Sequence, residues 1–459
     1  MTDRPRERNR LVNMSASEAG STASAIAADA VARLSSVPLS WRHKAVPAAA
    51  NGTTAGDFVH ARHTLAELQT PLLTLDARAL ESNADRLAAW CAEQGVRLAP
   101  HGKTTMAPQL WAEQLERGAW GITLANYAQL RVAREFGVRR LQLANSLTDP
   151  HAIEWVASVV GPEQTIVSWV DSVATVELIG STLEAAGSRA VLDVLVELGA
   201  HGGRTGARGI EAALEVARAA AVSPHVRLVG VSGYEGSLAH TADADALAAV
   251  RGYLGQMLRL HERLLADGLY GSDELIVTAG GSAYFDDVVD VLSPCITEGD
   301  GAGNGKGKRV ELLIRSGAYI IHDDGFYRVI SPFSRHGGKP FSSAMHGWAR
   351  VVSQPEPGLA LLDAGKRDLP VDEGLPRPQL IGPALGGPMS PLEGAEITAV
   401  NDQHSFLSFD PATTTVRLGD VVRLGLSHPC TAFDKWTLIP VLADTDGDQT
   451  VVDLIHTFF

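Results

Sequence analysis

The chain has 459 residues, enough for two or three domains, and is 45% apolar and 20% charged, as soluble enzymes are. A net charge of -14 argues against nucleic acid or an anionic membrane as partner, since both select a basic face, and the apolar runs are too short to span a bilayer. Three widely spaced cysteines, Cys91, Cys295 and Cys430, imply no disulfide framework and fit a reducing cytoplasm.

The first 65 residues start basic, become Ser/Ala-rich and lack the uninterrupted apolar segment of a secretory signal. They read as a poorly ordered tail. From Pro71 onward the pattern alternates. A strand at 71–76 leads into an amphipathic helix at 77–95, which Gly95 stops. Strands then follow at 96–100, 120–125, 139–145, 164–171, 190–199, 226–236, 274–281 and 310–323. Helices lie between them at 107–118, 126–137, 149–161, 172–187, 209–221, 242–268 and near 286–292. This alternation predicts a parallel sheet. Eight of the nine strands suffice for a closed (β/α)8 barrel of TIM type, starting at Val96. The strand at 71–76 is left over and is expected to pair with the region C-terminal to the barrel. The Gly-rich run 299–308 lacks phosphate-loop spacing and reads as a flexible insertion. After Tyr327 helical periodicity fades into short strands with Gly, Pro and Asp turns. The domains expected are a barrel at 66–330 and a mainly antiparallel β domain at 331–459.

Active sites of such barrels lie at the carboxyl ends of the strands. Reading off those positions gives His101 and Lys103, Asn126 and Tyr127, Asn145 and Ser146, and Asp171. It continues with Glu197, His201 and Arg204, Tyr234 and Glu235, the Gly280-Gly281-Ser282 turn, and Arg315. Polar loops account for part of this set, but not for ionisable groups clustered with glycines. In AGGSAYFDD (279–287) two glycines and a serine precede a helix, so their N–H groups suit a phosphate; a tight Gly-Gly turn is the plainer reading. GAHGGRTG (199–206) does not match dinucleotide spacing. A lysine and a phosphate cradle at one mouth point to pyridoxal phosphate (PLP), whose aldehyde forms an imine with a lysine. In GLSHPCTAFDKW (425–436), His428 and Cys430 lie two apart, which on a strand puts both side chains on one face. Both are good zinc ligands, but two ligands make half a site; a buried cysteine beside a structural histidine is the alternative.

Taken together, TPLLTLDARALESN, PHGKTTMAP, GGRTG, VSGYEGS, AGGSAYFD, RSGAYIIHD, LLDAGKRD, NDQHSFL and LGDVVRLGLSHPC resemble the fold-type III PLP enzymes of the D-serine dehydratase and D-threonine aldolase family, in that order along the chain. The likeness runs from about Gln69 to the C-terminus. It implies an alanine racemase-like barrel, a β domain built from both chain ends, and a homodimer with active sites near the interface. It puts Lys103 in the place of the imine-forming lysine. It places Arg204 by the cofactor's phenolic oxygen, Arg315 at the ring nitrogen and Tyr234 in the cofactor pocket. Gly281, Ser282 and Gly317 become phosphate contacts. The family's dehydratases carry His-x-Cys where His428 and Cys430 stand and bind zinc; its aldolases usually carry His-x-Asp and use another divalent metal. The expected activity is therefore zinc-assisted deamination of a D-3-hydroxy amino acid to a 2-keto acid and ammonia. The alternatives are a D-threonine aldolase, which releases glycine and an aldehyde, and a PLP-binding protein without turnover. One departure is HPCTAFDKW, where eukaryotic dehydratases read closer to H-x-C-P-T. A racemase would need a second base on the opposite face of the ring, and no residue is placed there.

Overall fold

A computed structural model describes residues 26–299 and 307–459. Most of the expected 299–308 insertion, like residues 1–25, lies outside the described residues. Residues 26–65 differ from the tail expected of them. They form short helices at Ala28–Ala32 and Ala55–His60, and Leu39, Phe58 and Leu65 are buried in the main apolar cluster. Thr54 caps the second helix by accepting the Asp57 N–H at 3.1 Å. Composition hid this segment because its apolar residues are spread over turns and follow neither the helix nor the strand period.

The first strand, β1 (Leu72–Asp76), is followed by β2 (Arg97–Leu98), β3 (Ile122–Leu124), β4 (Arg140–Ser146), β5 (Thr165–Val170) and β6 (Leu192–Gly199). Next come a two-residue β7 (Ala207–Arg208), β8 (Val226–Gly233), β9 (Glu274–Ala279) and β10 (Arg309–Ile314). Eight of these run parallel in the order β2-β10-β9-β8-β6-β5-β4-β3, with β7 attached to β6. A parallel bridge between His101 and Thr123 joins the two ends. The Trp120 N–H on Leu98 O at 2.7 Å and the Thr123 N–H on Pro100 O at 2.9 Å complete the ring. The connecting helices start where a side chain can take up a free N–H: Asp76, Asn126, Asp149, Ser172 and Asp243 all cap. Each helix turns its apolar stripe to the sheet. Ala99, Trp120, Val167, Leu195, Val229 and Leu313 pack together as a cluster apart from the main core, lining the barrel's lumen.

The second sheet holds β11 (Met345–Glu356), β12 (Leu359–Leu362), β13 (Arg377–Gly382), β14 (Ser390–Pro391), β15 (Ala395–Val400), β16 (Ser405–Phe409), β17 (Val421–Gly425), β18 (Leu438–Leu442) and β19 (Val451–His456). Its path is β14-β13-β17-β11-β1-β18-β19, with β12, β16 and β15 branching from β11. β1 lies in its middle, antiparallel to β11 and parallel to β18. The chain thus enters through the β domain, winds the barrel, and returns. Among the described residues no helix is long and apolar enough to cross a membrane.

Three buried histidines make the fold acid-sensitive. Burial holds His261, His322 and His456 down to about 4, from an ordinary 6.5, with nearby Arg328 and His43 adding to the effect on the last two. Unfolding would release each to bind a proton. Their stabilisation is therefore complete above the unfolded value and is lost as pH falls from there through about 4. Linkage puts the loss on the order of 1 kcal/mol per histidine near pH ~5.5. Thermal melts are expected to show a falling Tm across that window, and His261→Gln should flatten the profile. A Tm constant from neutral pH down to about 4 would rule this out.

Candidate active site

Lys103 sits in a single 3-10 turn, Gly102–Thr104, directly after β2. Close packing fixes the turn. A Cβ on Gly102 would lie 2.6 Å from Ile122 Cγ2 and 2.8 Å from Trp111 Nε1, so only glycine fits. Trp111 Nε1 donates to Gly102 O at 3.3 Å, and the Met106 N–H to the same oxygen at 2.9 Å. Lys103 therefore projects from rigid backbone, its side chain partly buried at the barrel mouth.

Beneath it the inward positions of neighbouring strands form a polar layer over the apolar lumen. Glu197, Ser232 and Thr278 stand side by side across β6, β8 and β9. Arg315, just past β10, is buried and donates to Thr278 Oγ1 at 2.7 Å and to Gly233 O at 2.5 Å. Its guanidinium lies 4.9 Å from the centre of the Trp169 ring. Thr205 Oγ1 donates to Glu197 Oε1 at 2.8 Å, but Glu197 Oε2, Ser232 Oγ, Trp169 Nε1 and His101 Nδ1 are buried with no partner. Burial, reinforced by Lys103, Arg315 and Arg204, holds His101 well below its ordinary range and keeps it neutral. Arg204 is exposed, with its guanidinium 5.0 Å from the Tyr234 ring centre.

The loops after β9 and β10 meet at the same mouth. Ser316 Oγ donates to Gly281 O at 2.9 Å, and Ser282 is buried. A Cβ on Gly317 would lie 2.4 Å from His101 O, so glycine lets this loop close on the lysine turn. The strand expected over 310–323 therefore ends at Ile314, where the chain turns under Lys103. The phosphate expectation changes in part. The N–H groups of Gly280 and Gly281 both donate to the buried Glu235 carboxylate, each at 2.9 Å. Burial pushes the Glu235 carboxyl up, against the pull of these amides and of Arg315. The donors assigned to a phosphate thus hold an internal carboxylate, which suits the same chemistry, and Ser282 and Gly317 remain for an anion.

His428 and Cys430 reach the mouth from the β domain. They are not on a strand: β17 ends at Gly425, His428 has φ 60°, and residues 429–431 form a 3-10 turn. Turn geometry, with Pro429 fixing its own φ, replaces the two-residue period of a strand. The His428 N–H donates to buried Asp323 Oδ2 at 3.0 Å, and its Nδ1 lies 2.5 Å from Asp372 Oδ2. Cys430 Sγ lies 3.3 Å from Oγ1 of Thr104, the residue after Lys103. Burial opposes charge on both, yet the thiol and Asp372 lift His428 to about 9, while His428, Thr104 and Lys103 lower Cys430. Among the described residues no group of three or more His, Cys, Asp or Glu side chains converges as a metal site.

Comparison with known proteins matches residues 344–442 to the model of the "Putative serine dehydratase domain". A D-threonine aldolase of Arthrobacter sp is 26% identical over 380 residues, 83% of this chain and 90% of the relative. A D-threo-3-hydroxyaspartate dehydratase of Delftia sp. (strain HT23) is 26% identical over 406 residues, 86% of this chain and 99% of the relative. A solved D-threonine aldolase from Filomicrobium marinum superposes with a TM-score of 0.70 at 23% identity, covering 86% of this chain and 97% of that one. The chain is similar over most of its length to these enzymes, and the likeness supports the fold-type III PLP family.

Its mouth fits that family's cofactor. The four buried polar atoms without partners ask for a ligand that hydrogen-bonds at several edges. Gly281 keeps the space beside Tyr234 open, since a Cβ there would lie 3.3 Å from the ring. The structure gathers Lys103, Arg204, Tyr234, Gly281, Ser282, Arg315 and Gly317 at one mouth, with His428 and Cys430 beside the lysine turn. A thiolate and an imidazole also form the donor pair that zinc prefers. Trp169, Ser232 and Thr278 were not among the residues expected at the mouth, although strand parity alone could have exposed them. Asp323, Asp372 and Thr431 were not expected either, and no periodic signal marks them.

Proposed function

We propose that this chain is a PLP-dependent D-amino acid lyase of the dehydratase type, converting a D-3-hydroxy amino acid to a 2-keto acid and ammonia with help from a divalent metal, zinc by preference. The observation that carries this is Cys430 Sγ 3.3 Å from Thr104 Oγ1, which sets a sulfur ligand rather than a carboxylate against the lysine turn. The relatives support both branches, since they are named aldolase and dehydratase. A solved D-threo-3-hydroxyaspartate dehydratase, 22% identical to this chain, is described as a cysteine-to-alanine mutant in the metal-free form.

When bound, PLP supplies the electron sink for negative charge at the substrate's α-carbon. Lys103 is the residue that would hold the cofactor, and its amine is the base that would take the substrate's α-proton. Held on one side of the mouth by a rigid turn, its amine reaches one face only, and that selects the D-enantiomer. Arg315, locked by Thr278 and Gly233, and Arg204, stacked on Tyr234, supply positive charge to orient the cofactor. Ser282 and Gly317 would hold its phosphate. His428 and Cys430 would hold the metal, a Lewis acid for the β-hydroxyl.

Incubation with D-serine, D-threonine and D-threo-3-hydroxyaspartate separates the readings. Keto acid with equimolar ammonia is expected. Glycine with an aldehyde and no keto acid would make the chain an aldolase, the reading favoured by its Arthrobacter relative. No turnover of any of the three would leave a cofactor-binding protein.

A further inference from the structure

We propose that Asp372 is a positioning residue for the metal pair, holding the His428 ring by its Nδ1 so that the Nε2 edge is turned toward the Cys430 sulfur. This role rests on the metal reading of His428 and Cys430 and deepens it.

A chain of contacts between two loops of the β domain carries the proposal. Asp372, between β12 and β13, places Oδ2 at 2.5 Å from His428 Nδ1 and accepts the Thr431 hydroxyl on Oδ1 at 2.6 Å. A carboxylate only accepts, so Nδ1 is the nitrogen that donates to Asp372 and Nε2 is the edge left to face the Cys430 sulfur. Both Asp372 oxygens are engaged, which makes this carboxylate a support and not a third ligand. Thr431 follows Cys430 directly, so one carboxylate ties the turn carrying the thiol to the ring of the imidazole. The backbone is held separately. His428 occupies the left-handed region at φ 60°, where a side chain is strained, and its N–H is bound by Asp323. Buried Asp323 also accepts the N–H groups of Gly325 and Tyr327 at 3.0 and 2.9 Å. Asp323 sets where the residue stands, and Asp372 sets how its ring turns. Removing such a carboxylate behind a ligating histidine typically weakens metal binding by ~10–100-fold.

The test uses the full chain loaded with PLP, stripped of metal by a chelator and titrated with Zn²⁺ against a chromogenic competitor. Asp372→Asn should bind Zn²⁺ ~10–100-fold more weakly than the parent. With Co²⁺ it should keep the thiolate-to-metal charge-transfer band, because Cys430 still ligates. The melting temperature and the absorbance of the lysine-bound cofactor should not move. Thr431→Val, which frees one Asp372 oxygen, should weaken Zn²⁺ in the same direction by less, and it keeps the proposal testable if Asp372→Asn fails to fold. Unchanged Zn²⁺ affinity in both variants would overturn the proposal. So would a loss in Asp372→Asn as large as in His428→Ala, since that would make Asp372 a ligand. A parent protein that takes up no Zn²⁺, with His428→Ala indistinguishable from it, would overturn the metal reading itself and this inference with it.

Discussion

Replacing Lys103 with alanine should lower turnover by ~10³-fold or more and remove the ~420 nm absorbance of a lysine-bound cofactor. Two separate functions are lost, the covalent attachment and the base, so no neighbouring group is expected to compensate. His101 is the nearest other base by sequence. It is held neutral by burial among cations, but its Nδ1 is buried at the barrel end and it stands on the strand side of the turn. The fold should be indifferent to the change. The contacts that shape the turn run through Gly102 O, Trp111 and Met106 and not through the lysine chain. A stability change within about 0.5 kcal/mol is expected for a substitution that breaks no buried contact. PLP should still bind, more weakly, through Arg204, Ser282, Arg315 and Gly317, which dialysis against cofactor would show. An absorbance band that survives unchanged would remove Lys103 from the role.

The contrast between that turn and the His428–Cys430 pair shows what can be read from a sequence. Lys103 was legible because it ends an apolar strand in a regular alternation, and a barrel puts every such end at one mouth. The helix expected at 77–95 spans Ala77–Gln94, with Gly95 in the left-handed conformation at φ 66° that a helix stop needs. Ser282 and Arg315 follow from the same logic of strand ends, whereas Gly317 came only through the family resemblance. Where the period breaks, the reasoning fails for a definite cause. The 310–323 stretch is apolar past Ile314 because residues 318–321 are buried against the helix Ala77–Gln94, with 318–320 as a 3-10 helix and Asn83 donating to Ile320 O, not because the strand continues. Gly280 and Gly281 expose two N–H groups as expected, but a carboxylate 45 residues earlier takes them. His428 and Cys430 do face one another, through a left-handed residue and a turn rather than through a strand. Asp372, 56 residues from His428, belongs to a loop whose position only the folded sheet determines.

Metal removal should produce the complementary phenotype. Chelation of the PLP-loaded protein is expected to cut keto acid formation by ~10²-fold or more while the cofactor absorbance stays in place, and added Zn²⁺ should restore activity. His428→Ala and Cys430→Ala should reproduce the chelated state and resist rescue. The geometry separates the two halves of the site. Lys103 and the loops after β9 and β10, Asp323 included, belong to the barrel, whereas His428, Cys430 and Asp372 belong to the β domain, and the Thr104–Cys430 contact joins them. Loss of the lysine should therefore spare Zn²⁺ binding, and loss of the metal pair should spare PLP binding. The β-hydroxyl is a poor leaving group, so a metal acting on it changes the rate of elimination more than the binding of substrate. The fall should then appear mainly in kcat and less in KM. A protein whose turnover ignores chelators, or whose His428→Ala variant keeps the parent kcat, would confine the chemistry to Lys103 and leave the His428–Cys430 pair a structural contact between domains.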